Sequence, residues 1–139
     1  MLNKYNILIP TTIVLLFGLL SIKYQNMIGI SAHIYMPICL IILLYNLNQD
    51  NFNSKISIAF GLIILNEVII RILGDISLKS DGNPWAAFSF LLMSLLSYFT
   101  IIIATLIKKN VLENYLNKVI YITIAFLIIS ISYIFIFLI

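Results

Sequence analysis

Apolar residues run along the chain in long blocks separated by short polar breaks; the blocks cover residues 6–22, 27–46, 56–74, 85–107 and 119–139. Within a block the residues do not alternate, as in Ile124-Ala125-Phe126-Leu127-Ile128-Ile129. Alternation over about ten positions would mark the strands of a membrane barrel. Unbroken blocks of about 20 residues instead suit helices crossing about 30 Å of hydrocarbon. In lipid each backbone N–H and C=O needs a partner within its own segment, and a helix supplies one. The pattern predicts an all-α fold, a polytopic integral membrane bundle of about five transmembrane helices forming one membrane domain over residues 1–139.

The breaks read as loops. Asn46-Leu47-Asn48-Gln49-Asp50-Asn51-Phe52-Asn53-Ser54-Lys55 is an asparagine-rich turn region, and Ser80-Asp81-Gly82-Asn83-Pro84-Trp85 joins turn formers to an interfacial tryptophan. Pro84 is expected to start the fourth helix, and Lys108-Lys109-Asn110 to close it. Pro10 is expected in the first turn of its helix, where a missing N–H costs nothing. Pro37 is expected to kink the second helix. Lys4 precedes the first block as it would in a signal peptide. The residues after it, Ile22-Lys23-Tyr24-Gln25-Asn26, offer no small-residue cleavage site, so a retained helix is expected.

Composition sharpens this picture. Hydrophobic residues make up 63% of the chain and charged ones 9%, with a mean hydropathy of +1.14. A soluble domain carries about a quarter charged residues, so a soluble enzyme and a disordered tail are excluded. The net charge of +3 is small and scattered, which excludes a nucleic-acid partner. Alternating spans put Lys4, Lys55, Lys108, Lys109 and Lys118 on one side, and Lys23, Lys79 and Arg71 on the other. The positive-inside rule then predicts a multi-pass protein of the cell (inner) membrane with a cytoplasmic N-terminus and an outside C-terminus. Cys39, the single cysteine, is expected to act as a small buried apolar group.

Charges inside a spanning helix cost a few kcal/mol each and mark functional candidates. Glu67, Arg71 and Asp75 follow one another at four-residue spacing in the third block, hence on one helix face. Arg71 can bridge both carboxylates. Three readings stay open: a structural ion ladder, a polar cavity open to the outer leaflet with Asp75 at its mouth, or lipid-facing snorkelling by Arg71. His33, the only histidine, enters the second span from that same side, and Tyr98 of the fourth span is placed slightly deeper than Glu67. His33, Glu67, Arg71 and Tyr98 are the candidate binding residues. One histidine and one cysteine support no metal site, and no cofactor motif is present.

Three features together resemble the amino-terminal half of the YhhN family, whose members include lysoplasmalogenases. A proline stands in the second span, within Ser31-Ala32-His33-Ile34-Tyr35-Met36-Pro37. The third span ends in Gly74-Asp75-Ile76-Ser77-Leu78, similar to the family's G-D-x-x-L. Then comes Phe88-Ser89-Phe90-Leu91-Leu92-Met93-Ser94-Leu95-Leu96-Ser97-Tyr98, similar to its F-L-x-x-H-x-x-Y stretch. Ala32-His33 replaces the family's Lys-Pro pair, Ser94 stands at its histidine, and Tyr98 comes one position late. The family's later half, with its second aspartate, has no counterpart here. The resemblance implies Asp75 as a catalytic residue and a lysolipid as the ligand, bound or hydrolysed. A non-enzymatic membrane subunit or sensing protein, working with a membrane partner chain or as a homo-oligomer, is the alternative. An oligomeric transporter or pore is a second one.

Overall fold

The computed structural model describes residues 4–21, 25–74 and 84–138, with side chains over 5–20, 31–69 and 91–132. The described residues form five α-helices: α1 (Lys4–Ser21), α2 (Gln25–Leu44), α3 (Phe52–Gly74), α4 (Pro84–Ile107) and α5 (Tyr115–Leu138). Each overlaps one apolar block, and no strand occurs among the described residues.

Helix starts depart from the block edges where asparagine side chains take over. Asn48 and Asn51 bond reciprocally, each backbone N–H donating to the other's Oδ1 at 2.9 and 3.0 Å. Asn51 Nδ2 also donates to the Asn46 carbonyl at 2.8 Å. The Asn51 carbonyl then receives the Lys55 N–H at 2.9 Å, so α3 begins at Phe52, four residues before the apolar block. Phe52 and Lys55 are thereby carried into the bundle and buried. At the other connection Asn114 takes a left-handed φ of 50°, a conformation asparagine tolerates better than most residues. Its carbonyl accepts the Lys118 N–H, and α5 starts at Tyr115, again four residues early.

Pro10 lies in the second turn of α1, not the first, because the helix already begins at Lys4. Its ring is buried, and its carbonyl faces the Cys39 thiol of α2 at 3.9 Å. Cys39 is fully buried and free, packed among apolar neighbours. α2 continues through Pro37 as one helix.

α2 forms the centre, packing on α1, α4 and α3, while α1 also packs on α3. Val14, Met36, Leu40, Ile56, Ile63, Met93 and Ile101 fill the shared core. α5 packs chiefly on α4. The connections 45–51 and 108–114 meet at one end of the bundle, where Gln49 Oε1 accepts from the Glu113 N–H at 3.2 Å and from Lys118 Nζ.

Among the described residues, two helical stretches are long and apolar enough to cross a membrane: Phe52–Ile69, half of it buried, and Tyr115–Ser132, 6% buried. The described parts of α1, α2 and α4 add shorter apolar stretches, Tyr5–Leu20, Ser31–Leu44 and Leu91–Ile107.

Candidate functional site

Polar side chains gather where α2, α3 and α4 meet. Asn66 of α3 has no exposed surface, and its Oδ1 accepts the Tyr35 hydroxyl of α2 at 2.5 Å. The Asn66 amide nitrogen points to Met93 Sδ of α4 at 3.3 Å. Phe17 of α1 stacks on Tyr35, ring centroids 4.3 Å apart and planes 20° from parallel. Four helices therefore converge on one amide and one phenol. An amide in an apolar core costs several kcal/mol unless bonded; here its oxygen is bonded and its nitrogen has a soft acceptor.

The predicted site residues fall around this junction in different ways. Glu67 follows Asn66 on α3 and is half-buried; His33 precedes Tyr35 by two residues on α2 and is also half-buried. Arg71 belongs to α3, one turn beyond Glu67, with its side chain outside the described set, and Asp75 lies outside the described residues. Tyr98 turns to α5: its hydroxyl pairs with Thr123 Oγ1 at 3.0 Å, and its ring stacks on Phe126 at 4.6 Å. Among the described residues no three His, Cys, Asp or Glu side chains assemble into a metal-binding group.

The described serine and threonine hydroxyls of α4 serve their own helix. Ser94 Oγ donates to the Leu91 carbonyl, Ser97 to Met93 and Thr105 to Ile101, at 2.8–2.9 Å. Such back-bonding satisfies a buried hydroxyl in a helix without involving a ligand. Ser94 is buried and occupied in this way.

Two features escape the sequence reading. One is the Tyr35–Asn66 pair, which carries no charge to betray it; only an amide in mid-span is visible. The other is a pair of clefts between α3 and α5. The first, about 520 Å³, opens beside Gln49, Asn53, Glu113, Asn117 and Lys118. The second, about 350 Å³, lies between Phe60 of α3 and Ile124, Ala125 and Ile128 of α5. Tyr121 lines both.

Comparison with known proteins finds no matching family model, curated sequence or solved structure.

Proposed function

We propose that this chain is a multi-pass protein of the cell membrane that binds a lysolipid at a polar intramembrane site. The observation that carries the membrane reading is the distribution of polarity. Large apolar side chains are exposed on the described part of every helix, among them Leu16, Ile41, Ile64, Phe99 and Ile128, while Asn66, Ser94, Ser97 and Thr105 are buried. Contiguous exposed apolar surface of this extent marks contact with lipid or with a partner. Lys108 and Lys118 belong to the same end of the bundle as Gln49, which agrees with a cytoplasmic placement of that end.

The lysolipid reading draws on the likeness to the YhhN family and on His33 and Glu67. These stand half-buried on the packed helices α2 and α3, near the Tyr35–Asn66 pair. In this reading Arg71 and Asp75 complete the site toward the outer leaflet. Binding without hydrolysis is favoured by Tyr98, which is held by Thr123 and Phe126 of α5 instead of serving the site.

Topology is tested by cysteine labelling in intact cells on a Cys39→Ala background. An impermeant maleimide is expected to label Asn83→Cys and to spare Asp50→Cys. Labelling of both would overturn the spanning arrangement, and the reverse pattern its orientation. Ligand choice is tested with purified protein: a lysoplasmalogen is expected to be retained, with Glu67→Gln weakening retention. Release of aldehyde by the wild type, lost in Asp75→Asn, would replace the binding reading with a hydrolase. No retention and no aldehyde would leave the non-enzymatic subunit acting with a partner chain.

A further inference from the structure

We propose that the groove between α3 and α5 seats one phospholipid of the cytoplasmic leaflet, its acyl chain along Phe60, Ala125 and Ile128 and an amine-bearing phosphate headgroup between Lys118 and Glu113. This rests on the membrane reading above and concerns the opposite end of the bundle from His33 and Glu67.

The two clefts follow one another along both helices, with Tyr121 at the junction. From Lys118 to Ile129, eleven helical residues rise about 16 Å at 1.5 Å each. That depth is close to half of the roughly 30 Å hydrocarbon core, one leaflet. The deeper cleft is lined mostly by apolar side chains, with Ser57 the polar exception and Ala125 contributing only a methyl. The mouth is polar and carries both signs of charge, Lys118 and Glu113.

Lys118 Nζ donates there to Gln49 Oε1 and lies over the Phe52 ring, 4.9 Å from its centroid. An ammonium has three donors, so one held by a neutral amide and a ring keeps donors for a phosphate. Glu113 is exposed and forms no ion pair with Lys118 among the described residues. A cation and an anion left apart at the head of a one-leaflet apolar slot complement a headgroup with a phosphate and a primary amine. A partner helix would match the apolar slot, but it would leave both charges at the mouth unanswered.

Native mass spectrometry of the full chain, extracted in mild detergent and offered equal amounts of phosphatidylethanolamine and phosphatidylglycerol, tests this. The expected result is one retained phosphatidylethanolamine, in preference to phosphatidylglycerol. Lys118→Gln is expected to weaken retention of both lipids roughly tenfold, as loss of a charge-assisted phosphate contact does. Glu113→Gln should remove the preference alone, and Ala125→Phe should abolish retention by filling the slot. Equal retention of both lipids by wild type and variants overturns the proposal. A lipid-free dimer that Ala125→Phe dissolves overturns it as well, by showing a second copy in the groove. If Ala125→Phe fails to fold, Lys118→Gln on the rim decides. Loss of the labelling pattern at Asp50 and Asn83 would sink the membrane reading itself. Correct labelling with no retained lipid sinks this inference alone.

Discussion

Tyr98 of α4 and Thr123 of α5 share a hydrogen bond of 3.0 Å, the one side-chain bond between α5 and another helix among the described residues. Thr123 Oγ1 also donates to the Val119 carbonyl at 2.8 Å, so the Tyr98 hydroxyl is the donor in the pair. Tyr98→Phe keeps the stack on Phe126 and deletes only this bond. Interhelical bonds in membrane proteins are worth about 0.6 kcal/mol on average and up to about 1.7. A small drop in thermal midpoint is expected, with a larger one for Phe126→Ala. Proteolysis of detergent-solubilised protein should release α5 first in both variants. Equal protection of α5 in wild type and Phe126→Ala would show that the stack does not hold it.

The Tyr35–Asn66 pair predicts a non-additive cycle. Asn66→Leu leaves a buried phenol without an acceptor, and Tyr35→Phe leaves a buried amide oxygen without a donor. Each should cost about 1–3 kcal/mol, whereas the double variant should cost less than the sum, because both polar groups leave together. Chemical unfolding in mixed micelles measures the three values. Strict additivity would mean the two groups act independently.

Helix contact between α1 and α3 depends on a missing side chain. A Cβ at Gly18 would overlap Ile69 Cγ2, whereas one at Gly61 of α3 meets nothing within 4 Å. Gly18→Ala is therefore expected to destabilise, since α1 must move off α3 or Ile69 must turn. Gly61→Ala should stabilise by up to about 1 kcal/mol through helix propensity alone. Opposite shifts in melting temperature are the expected signature, and a gain for Gly18→Ala would contradict the close approach.

Lys55 is 1% exposed, and its Nζ has no hydrogen-bond partner among the described residues. A buried ammonium without a partner is a standing cost. Lys55→Met keeps the aliphatic length and removes the charge. It should stabilise the fold by on the order of 1 kcal/mol and so raise the melting temperature. An unchanged or lowered melt would indicate that the ammonium reaches water or an anion.

The helices themselves are legible because runs such as 124–129 are apolar on every side, a property that needs no knowledge of neighbours. Helix starts are not: Phe52 to Lys55 read as loop because the asparagines are polar, and the bonds among Asn46, Asn48 and Asn51 exist only once the turn is folded. The site is harder still. Charge draws notice to Glu67, while the neighbouring Asn66, about 100° round the helix, is the residue aimed into the bundle. On α2 the only histidine draws notice in the same way, while Tyr35, two residues on, bonds Asn66 across the helices. Tyr98 can be placed in depth from its helix, but its direction toward Thr123 depends on where α5 lies.

The peripheral seat of α5 bears on the order in which the protein is built. α1 to α4 already contain the Tyr35–Asn66 pair, the Phe17 stack and the Gly18–Ile69 approach. These contacts can close before the ribosome has delivered Tyr115, leaving the last helix to be added to a finished surface. A chain ending at Asn114 and released from the ribosome would thus hold a packed four-helix unit. α5 then acts as a late-arriving wall that turns the open flank of α3 into a groove.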